Sequence, residues 1–269
     1  LGLNLGRVRT HLAVDGPPFL YLGRPQRRVA VHPRHLEPRE QVGDSLGHVA
    51  AGDLAATGDA PPAFAQAAQA DLVYLAHSPA NPKTEAIVVP EQSAIHSVAD
   101  LKGKRVGLNK GSDVNYLLVA ALEKAGLSYK DITPVYLPPA DARAAFQRGA
   151  IDAWVIWDPF LAEVETNAKA RQIRNAEGLV PHYTFYLASR KFADTYPETA
   201  KQVVDELGKL SAWANSHQDE AAGLLSTSTG LDKAIWLKTL ARLPYGAERM
   251  TPAVYNEQQA LADTFTRIG

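Results

Sequence analysis

The stretch from Lys104 to Phe160 sets what this chain can become. Arg105 to Leu108 is a short β-prone run that feeds the corner Asn109-Lys110-Gly111-Ser112. Behind the corner, Val114, Leu117, Leu118, Ala121, Leu122 and Ala125 recur at helical spacing, and Gly126 stands where such a helix would end. Thr133 to Leu137 is a second strand-like run. Pro139 to Arg148 is a second amphipathic helix closed by Gly149, and Ala150 to Trp157 is a third, mostly apolar strand. Asp158 then reads as an N-cap, with Pro159 as the first helical residue. Strands and helices alternating through short connections specify a parallel α/β unit. In such sheets ligands gather beyond the carboxyl ends of the strands. Lys110-Gly111-Ser112 and Trp157-Asp158-Pro159-Phe160 both lie at such ends.

The first of these corners has a chemistry of its own. Ser112 is placed to be an N-cap. First-turn N–H groups and the positive end of the macrodipole can hold an oxyanion without any lysine. Taken alone, the corner is also what any capped helix looks like. A second strand end facing the same side makes it a candidate.

Composition removes several function classes. The formal net charge is −1, so a nucleic-acid or anionic-membrane partner has no global electrostatic support. Cysteine is absent, which excludes thiol catalysis, disulfides and thiolate metal sites, and suits an exported protein. No apolar run approaches the roughly 20 residues of a membrane span. The chain starts at Leu1 without a signal peptide, which is expected of a processed form or a fragment.

Residues 1–50 differ in kind. They hold seven arginines and no lysine, against nine arginines and twelve lysines in the rest. His11, His32, His35 and His48 fall there too, without the spacing of a metal site. One reading is an irregular N-terminal segment. The other, which the excess of Arg, Pro, His and Gly favours, is a stretch translated in a shifted reading frame.

From Ala50 the text becomes regular. Thr57-Gly58-Asp59-Ala60-Pro61-Pro62 is a turn before an Ala-rich helix, Leu72 to Ala76 and Ala86 to Val89 read as strands, and His77 to Thr84 as a crossing segment. Tyr183 to Ala188 would be a returning strand. Helices are expected over roughly 197–217, 231–242 and 252–267. Val203, Val204, Leu207, Leu210, Trp213, Ile235, Trp236 and Leu240 would form their packing face.

The segments Thr57 to Pro62, Ser97 to Lys104, Lys110 to Ser112, Leu137 to Phe146 and Asp152 to Phe160 together resemble the substrate-binding proteins of ABC importers for aliphatic sulfonates, relatives of those for nitrate and taurine. The resemblance implies an α/β, type II periplasmic-binding-protein fold of two lobes joined by two crossing strands and closing on a ligand. Lobe one would be discontinuous, 1–84 plus 182–269, and 85–181 would be lobe two, a parallel α/β unit. The implied activity is capture of an alkanesulfonate for import, with a taurine or nitrate receptor of the same family as the alternative. The implied partners are the sulfonate and the membrane permease subunits, with no nucleic acid, no cofactor and no metal. The chain is expected to be periplasmic and monomeric.

A sulfonate is a permanent monoanion with three acceptor oxygens, so neutral donors and a helix dipole suit it. The expected ligand-binding residues are Gly58, Asp59, Ala60, Gly111, Ser112, Asn115, Trp157, Asp158 and Phe160. Gly111 and Ser112 would give N–H groups and a hydroxyl, and Gly58, Asp59 and Ala60 would give N–H groups from the other lobe. Asp59 is expected to cap its own helix, and Asp113 to face away from the anion. Trp157 and Phe160 would wall the alkyl tail, while Trp154 would be core. Asp158 would be a cap or a partner for a ligand amine. Tyr116, His182 and Tyr183 are further candidates. Rival readings are an enzyme on the same scaffold and the effector domain of a transcription regulator. No Ser/His/Asp elbow, metal cluster or helix-turn-helix is legible for either.

Overall fold

The computed structural model describes residues 53–268. The expectations for residues 1–50 lie outside the described residues. The chain divides into two compact units. Unit 1 holds the described residues up to Ser78, Tyr183–Leu207 and the segment from Ala247 on; unit 2 holds Pro79–His182 and Gly208–Gly246. This division differs from the expected one chiefly in 208–246, which joins unit 2. The bonds that tie it there are electrostatic: Lys238 and Arg242 reach carboxylates of the 158–165 region.

Unit 1 is built on a three-stranded antiparallel sheet of β1 (Leu54–Thr57), β2 (Leu72–His77) and β8 (Phe185–Ser189), in the order β1-β8-β2. Alternation along β2 and β8 sends side chains to two faces. On one, Leu72, Tyr74, Phe185 and Leu187 pack with Ala65 of α1 (Ala60–Ala67) and Val254 of α9 (Pro252–Ile268). On the other, Val73, Leu75 and Ala188 pack with Ala193 of α5 (Arg190–Thr195) and Ala200 of α6 (Pro197–Ser216).

Unit 2 carries a five-stranded sheet, ordered β5-β4-β6-β3-β7. These are β3 (Glu85–Pro90), β4 (Arg105–Leu108), β5 (Thr133–Tyr136), β6 (Ala153–Trp157) and β7 (Ala170–Asn175). The expected strand–helix–strand–helix–strand unit is present: β4 pairs in parallel with both β5 and β6, with α2 (Asp113–Lys124) and α3 (Pro139–Gln147) as crossovers. The sheet as a whole is mixed, not parallel as expected, because β3 pairs antiparallel with β6 and β7. Leu117, Leu118 and Leu122 of α2 cover Ile87, Val106 and Val155, while Phe146 of α3 and Leu161 of α4 (Phe160–Asn167) cover Val88, Trp154 and Ile156. Gly107 in β4 is forced by close approach, since a Cβ there would stand 2.4 Å from Ile151 Cδ1.

The C-terminal helices correct the sequence reading in two places. A further helix, α7 (Gln218–Thr229), stands before α8 (Lys233–Leu240). The packing face drawn through α6 is incomplete: Leu210 is 59% exposed, and Val203, Val204, Leu207 and Trp213 are only half-buried. Ala221, Ala222 and Leu240 make the small core there instead, with Trp213 and Trp236 at its edge.

Candidate functional site

The candidate residues of unit 2 leave the carboxyl ends of two neighbouring parallel strands. After β4, Gly111 turns the chain at φ +68°, and Ser112 enters α2 in an extended conformation (φ −105°, ψ 174°) at the N-cap position. The expected cap hydrogen bond is not made. Ser112 Oγ donates to the Asn109 carbonyl at 2.6 Å, and the third helical N–H, that of Asn115, donates to the Ser112 carbonyl at 3.0 Å. The Gly111 N–H is likewise engaged, donating to Asn115 Oδ1 at 3.2 Å. Asn115, itself buried, donates its amide to Tyr129 Oη at 3.3 Å, and the Tyr129 and Tyr136 hydroxyls are 3.3 Å apart. Burial, and then the hydroxyl pair with Tyr136, push the Tyr129 phenol well above its ordinary range, so it stays protonated.

Asn115 is thus a brace that fixes the corner from which α2 starts. A left-handed backbone costs a residue with a Cβ about 1 to 2 kcal/mol. Gly111→Ala is expected to destabilise the chain by about that amount in urea titration.

Beyond β6, Trp157 and Phe160 are half-buried and meet edge to face, ring centroids 6.4 Å apart at 79°. Trp154 is core, as expected, 1% exposed and 6.0 Å from the Phe146 ring. The cap of α4 is shifted by one residue from the sequence reading. Pro159 occupies the N-cap position, yet Asp158 Oδ1 still accepts from the Ala162 N–H at 2.9 Å. Asp158 is also tied to Arg242, whose Nη1 stands 3.3 and 3.4 Å from its two oxygens. Burial raises the Asp158 carboxyl to about 6 against the pull of that guanidinium. The other arm of Arg242 holds Glu165, which Lys238 reaches at 2.8 Å and Gln172 at 2.6 Å. Burial opposes ionising Glu165, but these donors hold it below the ordinary glutamate value. Asp158 is therefore committed to protein donors on two sides.

In unit 1, Gly58, Asp59 and Ala60 form the turn from β1 into α1. Pro61 and Pro62 have no N–H, so the donors at this corner come from those three residues. Asp59 is at the N-cap position but in helical conformation (φ −80°, ψ −29°), without the expected side-chain cap bond. Its carboxyl is buried, and its carbonyl accepts from Gln258 Nε2 at 2.6 Å. Tyr183, also in unit 1, donates its hydroxyl to Glu257 at 2.6 Å. Sequence reasoning missed Tyr129 and Arg242 as partners of Asn115 and Asp158, and Glu85, whose carboxylate stands 3.9 Å from His182. Glu85 had the one readable signal, a lone carboxylate beside an apolar strand run. Among the described residues there is no group of three or more metal-ligating side chains and no helix long and apolar enough to cross a membrane.

Two α/β units, one with helix N-termini and aromatic rings at the carboxyl ends of its parallel strands, define a periplasmic-binding-protein fold. The chain belongs to the NMT1/THI5-like family, which it matches over residues 35–221. It is similar to a protein of Escherichia coli (strain K12) that carries an aliphatic sulfonates-binding name, at 42% identity over 79% of this chain and 67% of that one. The chain spans about two thirds of the length of two curated relatives, 67% and 64%, and about half of others, such as 48% of a taurine-binding periplasmic protein of Escherichia coli (strain K12). The solved periplasmic aliphatic sulphonate binding protein SsuA of Escherichia coli is 39% identical, with TM-score 0.80 over 85% of this chain and 79% of that one. The alkanesulfonate-binding protein SsuA of Xanthomonas axonopodis pv. citri, solved bound to MOPS, is 41% identical, with TM-score 0.77 over 83% and 79%.

Proposed function

We propose that this chain is the substrate-binding component of an ABC importer for aliphatic sulfonates, acting in the periplasm as a monomer and without catalysis. The observation that carries the reading is its 39% identity, at TM-score 0.80, to a solved aliphatic sulphonate-binding protein. The local chemistry agrees. The sulfonate would sit against the first-turn N–H groups of α2, at the corner that Gly111, Ser112 and Asn115 build. It is a permanent anion, so neutral donors and a helix dipole bind it without the cost of burying a lysine. The Ser112 hydroxyl would turn from the Asn109 carbonyl to add a donor. Trp157 and Phe160 would receive the alkyl tail. Gly58, Asp59 and Ala60 are proposed to offer a sulfonate their N–H groups alone, since the Asp59 carboxylate would repel it. The partners are the permease subunits.

Isothermal titration with ethanesulfonate, taurine and nitrate tests this. Saturable binding of ethanesulfonate, tighter than that of nitrate, is the expected result. Saturable binding of nitrate alone, or turnover of any sulfonate, would overturn it. A chain-length series adds a further expectation. Trp157→Ala should weaken hexanesulfonate much more than methanesulfonate, because each buried methylene is worth about 0.8 kcal/mol; an equal loss for both would remove Trp157 from the tail wall.

A further inference from the structure

Three ionisable side chains from separate segments of unit 2 meet beside the candidate anion corner. Glu85 opens β3, Asp113 is the first residue of α2, and His182 ends the first segment of the unit. His182 Nδ1 stands 3.9 Å from Glu85 Oε2, and its Nε2 stands 3.7 Å from Asp113 Oδ2. Thr84 Oγ1 lies 3.2 Å from Nδ1, and the Asn81 N–H donates to the carbonyls of Pro181 and His182 at 3.0 and 3.1 Å. The imidazole is held by Thr84 and from its backbone side, with the two carboxylates flanking it. Glu85 is fully buried, and neither of its carboxylate oxygens has a hydrogen-bond partner. Strand register sets Glu85 opposite Trp157, and the Thr84 carbonyl accepts from the Asp158 N–H at 2.7 Å. The cluster therefore lies at the same strand ends as the candidate site.

Asp113 presents a difficulty that this cluster resolves. An acid in the first turn favours the helix dipole, yet it puts negative charge where an anion is to bind. The His182 imidazole stands between the two carboxylates, within 4 Å of an oxygen of each. With all three groups ionised the formal charge is −1, and protonating Glu85 brings it to zero. The charges acting on Glu85 are those of His182 and Asp113. Lys110, from the same corner, places its ammonium 5.4 Å over the Tyr136 ring, and Lys83 pairs with Glu177.

We propose that His182 is a positioning residue for anion binding: it holds and compensates the Asp113 carboxylate at the start of α2, and protonation of Glu85 behind it removes the remaining negative charge. This rests on the sulfonate reading above. Burial pushes Glu85 up to about 7, with the His182 charge acting against it. Affinity is then greatest below that value and falls as pH rises through it. A sulfonate does not titrate in this range, so the dependence belongs to the protein.

The test is titration of the full chain with ethanesulfonate at pH 6, 7 and 8, in buffers of different ionisation enthalpy, with circular dichroism of each variant. Binding about fivefold tighter at pH 6 than at pH 8 is expected, the scale of one unit charge several ångströms away, with proton uptake on binding near pH 7. Glu85→Gln should keep the tighter affinity across the range. His182→Gln should weaken binding at every pH, and adding Asp113→Asn should restore it, which a merely structural role would not do. Binding that is independent of pH, or a wild-type pH slope in Glu85→Gln, would overturn the inference alone. No sulfonate binding at any pH would overturn the sulfonate reading and this inference with it.

Discussion

Ser112→Asp is expected to leave the chain folded and to lower sulfonate affinity by at least about 100-fold, the scale of placing a like charge against the ligand at partly buried distance. The two halves of this result come from one position. Aspartate is among the preferred N-caps, and Ser112 already has the extended backbone of a cap. The substitution loses the bond from Ser112 Oγ to the Asn109 carbonyl and gains a carboxylate for the first-turn N–H groups. Those are the groups proposed to hold the anion, so the protein's own carboxylate would displace it. Calorimetric titration beside a thermal melt checks both halves. A variant that melts as the wild type does and still binds ethanesulfonate normally would move the anion away from α2.

Arg242→Leu carries the largest expected effect on stability. Its guanidinium faces the carboxylates of Asp158 and Glu165, whose side chains are 2% and 13% exposed. Removing one partner of a buried ionic group costs about 3 to 5 kcal/mol, chiefly because the other charge stays buried. Glu165 keeps Lys238 and Gln172, so Asp158 bears most of the loss. The folded-state value for Asp158 is already raised to about 6, above the ordinary 3.8. Its folded form therefore binds the proton more tightly, and its contribution to stability falls as pH rises between those values. Without Arg242 the value rises further. Urea titrations should show a large deficit at pH 8 that shrinks toward pH 5, with Asp158→Asn recovering part of it at pH 8. A deficit that stays constant with pH would mean that packing of the arginine stem, and not its charge, is what was lost.

The parts legible in the sequence were those that repeat locally. Val114, Leu117, Leu118 and Leu122 mark α2 because helical spacing puts them on one buried stripe, and the unbroken apolar run Ala153–Trp157 marks β6. The helix α7 was not legible, because only Ala221 and Ala222 are buried and its end is rich in Ser and Thr. Strand β7, Ala-Arg-Gln-Ile-Arg-Asn, is half-buried throughout and has no apolar period. It is held by pairing to β3 and by the Arg171 guanidinium on the carbonyls of Ser93 and Ile95.

The candidate site divides in the same way. The position of Ser112 was readable from its corner, but the partner of its hydroxyl depends on a turn geometry that residue types do not specify. Asp158 and Arg242 are 84 residues apart, and Glu85, Asp113 and His182 come from three segments. Pairings of that range are set by strand order, which no local pattern encodes.

The strand order of unit 1 has a consequence for how the chain reaches its fold. Strands β1 and β2 are near neighbours in sequence but do not touch in the sheet; β8, more than a hundred residues later, lies between them. Until residues 185–189 arrive, the inward edges of both earlier strands are unsatisfied, and each is a template for any other strand that meets it first. The sheet of unit 1 is therefore completed from the middle and late, with the long loop closures that slow folding. A nascent or truncated chain that ends before Phe185 would expose two open edges at once, including the otherwise wholly buried Leu72–His77. The last-arriving strand is the keystone of this unit, and until it arrives the risk is self-association.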